Sequence, residues 1–130
     1  MEPDAIDVLF AEWKIAMGRG DAERLLTFIT EDAEFWTQGA AAVKGRDAVR
    51  SLFGAFFETV SLRQDFHETE RVVAGDIAFI RGYETNVLTP RSGGEPIEGN
   101  KFLAEAVAVT MKADGHRGAA TVSVGGESSR

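Results

Sequence analysis

Residues 71–88 read RVVAGDIAFIRGYETNVL. Gly75-Asp76 is a turn signal between two runs rich in β-branched and aromatic residues, so the segment predicts two antiparallel strands joined by a tight hairpin. Working backward, residues 62–74 alternate imperfectly between apolar and polar and supply the first strand. Working forward, residues 77–88 supply the second. Pro90, Gly93 and Gly94 then mark an exposed loop over 89–95. Residues 98–112 predict a third long strand, Asp114-Gly115 turns the chain, and 119–124 predict a last strand.

Upstream the period changes. Ile6, Leu9, Phe10, Trp13 and Met17 recur at helical spacing and predict one buried stripe on a helix over 5–18. Asp4 is placed to cap it, and Gly18 and Gly20 stop it. Asp21 can cap a short second helix whose Leu25, Leu26 and Ile29 face inward. Residues 33–37 predict a short strand and 39–45 a small-residue loop. A third helix starts near Asp47, where a carboxylate favours the helix dipole, and runs through Val49, Leu52, Phe53, Phe56 and Phe57 to about Val60. Phe53, Phe56, Phe57 and Phe79 read as core. Helices first and hairpin-linked strands afterwards predict an α+β fold with an antiparallel meander.

The bulk numbers bound the possibilities. The chain has 130 residues, 44% of them hydrophobic, enough for one core, so 1–130 is expected to be a single domain with a frayed tail at 125–130. There is no cysteine, which removes disulfides, thiolate metal sites and a cysteine nucleophile. A net charge of −7 repels a phosphate backbone, so nucleic acid is not expected as a partner. The acidic start Met1-Glu2-Pro3-Asp4 has no apolar run after it, and no stretch approaches membrane-spanning length. A cytoplasmic location and no membrane partner are expected.

Local landmarks add a family resemblance. Trp13 lies in the first helix and Gly20-Asp21 before the second. Glu31-Asp32-Ala33 leads into the first strand, Gly45-Arg46-Asp47 into the third helix, and Gly75-Asp76 lies between strands. Over roughly 5–115 their order and spacing resemble the nuclear-transport-factor-2-like superfamily, in its SnoaL-like and ketosteroid-isomerase-like branch. The resemblance implies a cone-shaped fold: three N-terminal helices packed on a curved antiparallel meander sheet enclosing a pocket. It does not give the function, because this fold hosts isomerases, cyclases, hydrolases, dehydratases and non-catalytic binders.

Ketosteroid isomerase chemistry needs a carboxylate base and an oxyanion hole of a tyrosine and a neutral aspartic acid. Aligned on the landmarks, the family's tyrosine falls on Trp13, its base on Thr37 and its aspartic acid on Val107. None of the three can perform the family role, so that isomerase mechanism is rejected for this chain. The last stretch also departs from the family, with His116, Arg117, Gly118, Ala119 and Ala120 where an aromatic and apolar run is usual. The final strand is therefore expected to be short or loosely paired.

Strand alternation and the resemblance together point Phe79, Arg81, Tyr83 and Thr85 into the pocket, with Lys101, Leu103, Glu105, Val107 and Val109 from the next strand. Trp13, Phe35 and Thr37 close its wall or mouth. A hairpin closing at 89–96 would set Arg81 near Glu105. That pair either aims a guanidinium at a ligand carboxylate or enolate, or is an internal ion pair and nothing more. His67 is a candidate general base or an exposed strand residue, and His116 reads as a solvated turn residue. Glu31, Asp32 and Glu34 read as capping and solvated groups. Two distant histidines are too few for a zinc site, so no metal and no cofactor is expected.

The expected ligand site is thus Trp13, Phe35, Thr37, Phe79, Arg81, Tyr83, Leu103 and Glu105, with His67, Arg81 and Glu105 as catalytic candidates. These residues suit a small apolar or cyclic molecule, bound by a carrier or by an enzyme of proton-transfer chemistry of the isomerase, cyclase or hydrolase type. The alternative is a non-catalytic association module. By the resemblance, a homodimer would form through the outer sheet face, carrying Ile80, Glu84, Asn86 and Leu88 with Ala104, Ala106 and Ala108.

Overall fold

A computed structural model describes residues 4–37, 41–111, 115 and 117–128. Asp114 and His116, in the predicted turn, lie outside them. The element order is α1 (Ala5–Arg19), α2 (Ala22–Leu26), β1 (Ile29–Thr37), β2 (Val43–Lys44), α3 (Arg46–Thr59), β3 (Val60–Ala74), β4 (Ile77–Pro90), β5 (Ile97–Met111) and β6 (Arg117–Ser128). The fold is α+β, with one curved six-stranded sheet of order β2-β1-β6-β5-β4-β3; α1 and α2 precede its first strand and α3 lies between β2 and β3.

Local chemistry explains the helix ends. Asp4 accepts from the Ile6 amide at 2.8 Å and caps α1. At its other end Gly20 takes a left-handed φ of 65°, open to glycine at no steric cost, and the chain turns back onto the Ala16 and Met17 carbonyls. Asp21 accepts from the Arg24 amide at 3.0 Å and starts α2. Trp13, Met17, Leu25, Leu26, Val49, Phe53 and Phe57 then bury together as the main core. Ile6 and Leu9 of α1 reach a second cluster on the sheet with Ala78, Ile80 and Val107.

The meander is as expected through β3, β4 and β5, each antiparallel to the next. The last strand differs from expectation. β6 is twelve residues long and central, antiparallel to β5 and parallel to β1. Its small residues do not loosen it, because both neighbours hydrogen-bond it. Gly125 and Gly126 pair with Trp36 and Thr37, where the sequence predicts a frayed end.

One bulge shapes the site. Glu68 pairs with Gly82 and Glu70 with Arg81, so Thr69 is an extra residue in β3. A bulge bends its strand and reverses which side chains face inward beyond it. Before it Leu62 and Gln64 are buried on the helix side; after it Arg71 takes that side. Arg71 there bridges Asp4 at 3.2 Å, Asp7 at 2.6 Å and Glu68 at 2.7 Å, tying the start of α1 to the sheet. Arg71→Met is expected to cost about 1–2 kcal/mol, read by urea unfolding, with the loss shrinking in 1 M salt; a salt-independent loss would assign the effect to packing. Gly82 lies against the bulge so closely that an added Cβ would overlap the His67 carbonyl oxygen. Gly82→Ala should therefore destabilise by about 2 kcal/mol through forced strand separation. An unchanged unfolding midpoint would contradict that.

Candidate functional site

The concave side of the sheet and the helices do not meet everywhere. They leave a cavity of about 380 Å³. Leu9, Phe10 and Trp13 from α1, Phe53 and Phe56 from α3, and Phe35 from β1 form one side. Leu62, Phe66, Leu88 and Leu103 from the sheet form the other, with Trp36, Leu52 and Phe102 exposed at the edge. The rings brace one another. Trp13 stacks on Phe35 at 6.2 Å and meets Phe53 edge-on at 6.0 Å, and Phe10 meets Phe66 edge-on at 5.0 Å.

A polar belt crosses this apolar wall on four adjacent strands. Gln64 of β3 donates through Nε2 to Asn86 Oδ1 at 3.0 Å, and Asn86 Nδ2 donates to Glu84 Oε1 at 3.1 Å, both on β4. Further along, Thr121 of β6 donates to Glu105 Oε1 of β5 at 2.6 Å. All five side chains line the cavity and all five residues are buried. Burial pushes the Glu105 carboxyl up to about 7; the Thr121 hydroxyl works against that rise and the negative charge of Glu84 adds to it. A carboxyl that titrates near neutrality in an apolar cavity can both give and take a proton there.

The structure sorts the predicted site residues into two groups. Trp13, Phe35, Leu103 and Glu105 line the cavity. Thr37 lies at the end of β1, and its side chain is outside those described. Phe79, Arg81 and Tyr83 do not line it: they stand on the outer face, as does Thr85. The cause is a register one residue away from the predicted one. Ile80 is opposite Glu105 and Arg81 opposite Ala104, so every side chain of β4 changes face. Arg81 does not pair with Glu105; it bonds Glu70 at 2.8 Å in solvent. Ile80, Glu84, Asn86 and Leu88, expected outside, are buried or half-buried on the inner side, while Ala104, Ala106 and Ala108 remain outside. His67 is exposed on the outer face, stacked on Tyr83 at 4.5 Å and 3.3 Å from the Thr85 hydroxyl, away from the cavity wall.

Gln64, Glu84, Asn86 and Thr121 were not anticipated. Their signal was weak by nature: polar residues on an alternating strand read as the wet face, and only a hydrogen-bonded partner on the neighbouring strand makes them affordable inside.

Among the described residues no helix is long and apolar enough to cross a membrane. Solved structures share the architecture. A ketosteroid isomerase-like protein from Erwinia carotovora atroseptica superposes with a TM-score of 0.80 at 20% identity, over 97% of this chain and 95% of that one. An NTF2-like protein with a cystatin-like fold from Novosphingobium aromaticivorans gives 0.75 at 21%, over 95% and 79%. ActVI-ORFA from Streptomyces coelicolor gives 0.75 at 15%, over 95% and 94%. Likeness at these identities shows the fold alone. A comparison with curated proteins finds no match. At the level of sequence, the SnoaL-like domain matches residues 10–124, from α1 to the middle of β6 and so across every wall of the cavity. The chain belongs to the SnoaL-like domain family.

Proposed function

We propose that this chain binds a small, largely apolar cyclic molecule in the cavity and moves a proton on it through Glu105. The observation that carries the reading is a buried carboxyl, held near neutrality, on the wall of an aromatic cavity of about 380 Å³. That volume lies within the usual range for small-molecule sites. Ionised, Glu105 is the base that removes a proton from an acidic C–H of the ligand; protonated, it returns the proton at another position. Thr121 holds one carboxyl oxygen in place. This is the step shared by isomerisation and by the enolate-forming stage of a cyclisation.

The test uses 2-tetralone in D2O, with deuterium incorporation followed by NMR. The chain is expected to accelerate exchange, with a rate rising through a midpoint near pH 7 as Glu105 ionises. Glu105→Gln should reduce the rate by about 10²-fold or more. Equal exchange by the variant and the unaltered chain would remove Glu105 from the chemistry.

Self-association through the outer sheet face is a second proposal, compatible with the first. Val72, Phe79 and Tyr83 are exposed there around the Arg81–Glu70 ion pair, and the small Ala104 and Ala106 beside them let a second sheet approach closely. Sedimentation should show a dimer that Phe79→Glu converts to a monomer. A monomer before substitution would end this proposal and leave the cavity reading standing.

A further inference from the structure

We propose that the cavity selects an uncharged ring compound that presents a hydrogen-bond donor, a hydroxyl of the phenol or enol class, to Gln64. The inference rests on the ligand-binding reading above and narrows its ligand class.

Glu84 fixes the direction of the hydrogen bonds along the belt. A carboxylate only accepts hydrogen bonds. Asn86 therefore turns its NH2 toward Glu84, which aims its Oδ1 at Gln64. Gln64 must then spend its own NH2 on Asn86, and its Oε1 is left over. That oxygen is buried and has no hydrogen-bond partner among the described residues, on a residue only 5% exposed. An unpaired buried acceptor costs about 1–3 kcal/mol, which a ligand donor recovers. Gln64 stands on the cavity wall, so that donor comes from inside the cavity.

The same belt disfavours anions. Glu84 already opposes a second negative charge at Glu105, and a ligand carboxylate would meet both groups. Among the described residues that line the wall one cation, Lys101, stands beside two acidic groups, Glu84 and Glu105, and in strand register it lies opposite Glu84, so the acidic groups outnumber it where a ligand anion would sit. The remaining wall is aromatic and aliphatic, which fits a fused or substituted ring.

The experiment compares 2-naphthol, 2-methoxynaphthalene and 2-naphthoate by equilibrium titration at pH 7 against the full chain and Gln64→Leu. 2-Naphthol is expected to bind about tenfold more tightly than its methyl ether, the factor one recovered hydrogen bond provides. 2-Naphthoate is expected to bind at least tenfold more weakly than 2-naphthol. In Gln64→Leu the preference for naphthol over ether should fall to about one while ether binding persists, which also reports that the variant is folded. If that variant fails to bind the ether, the comparison on the unaltered chain still decides. Equal binding of naphthol and ether, or naphthoate binding as tightly as naphthol, overturns the proposal and leaves the cavity reading intact. Binding of none of the three overturns both.

Discussion

Between pH 4 and pH 8 the unaltered chain is expected to lose on the order of 3 kcal/mol of stability relative to Glu105→Gln. The sign follows from the direction of the shift. Glu105 ionises near 4.5 when unfolded and near 7 when folded, because burial opposes its charge. Between those values the folded chain holds a proton that the unfolded chain has released, so stability falls as pH rises. The contribution is complete below 4.5 and is lost once pH has passed through 7. Glutamine keeps an oxygen able to accept from Thr121 but carries no charge, so the variant lacks this pH dependence. Urea unfolding of both chains at half-unit pH steps measures the difference, which should be small at pH 4 and level off above pH 7.5. Parallel stability curves would mean that Glu105 is solvated, and they would weaken the proposed proton transfer with it.

Trp13→Ala is expected to cost more, about 3–5 kcal/mol. Trp13 is 8% exposed, and its ring meets Phe28, Phe35 and Phe53, so it joins α1 to β1 and α3 at once. Removing it leaves a void continuous with the existing cavity, which surrounding rings cannot fill without leaving their own contacts. The urea midpoint should fall with little change in slope, and Trp13→Phe should recover much of the loss because a ring remains. Trp36, the second tryptophan, is 54% exposed and serves as an internal contrast: Trp36→Ala should change stability little. A loss below about 1 kcal/mol for Trp13→Ala would show that the aromatic wall does not support the fold.

The two residues also show how unevenly the site could be read in advance. Trp13 announced itself through helical spacing with Leu9 and Met17, a pattern that depends on nothing distant. Glu105 reached the correct face because β5 alternates cleanly: Leu103, Glu105 and Val107 share one side. On β4 both faces carry large side chains, Phe79 and Tyr83 on one and Ile80 and Leu88 on the other. Alternation alone could not choose between them, and a register shift of one residue placed Arg81 and Tyr83 on the wrong side.

Residues 71–88, with Gly75-Asp76 between two strand-like runs, therefore carry two levels of information. Turn chemistry, caps and helical periodicity are local, and the sequence by itself determined them: α1 from Asp4, α2 from Asp21, the hairpin at Gly75, and the helices-then-meander order. The inner face of β4, the bulge at Thr69 that places Arg71 under the helix, and the full length of β6 were decided only by the tertiary structure. Each depends on the register and hydrogen bonds that a strand makes with its neighbours in the sheet, not on its own residue pattern. The polar belt belongs to the same class, since Gln64 and Glu105 can be buried only where Asn86 and Thr121 arrive to bond them.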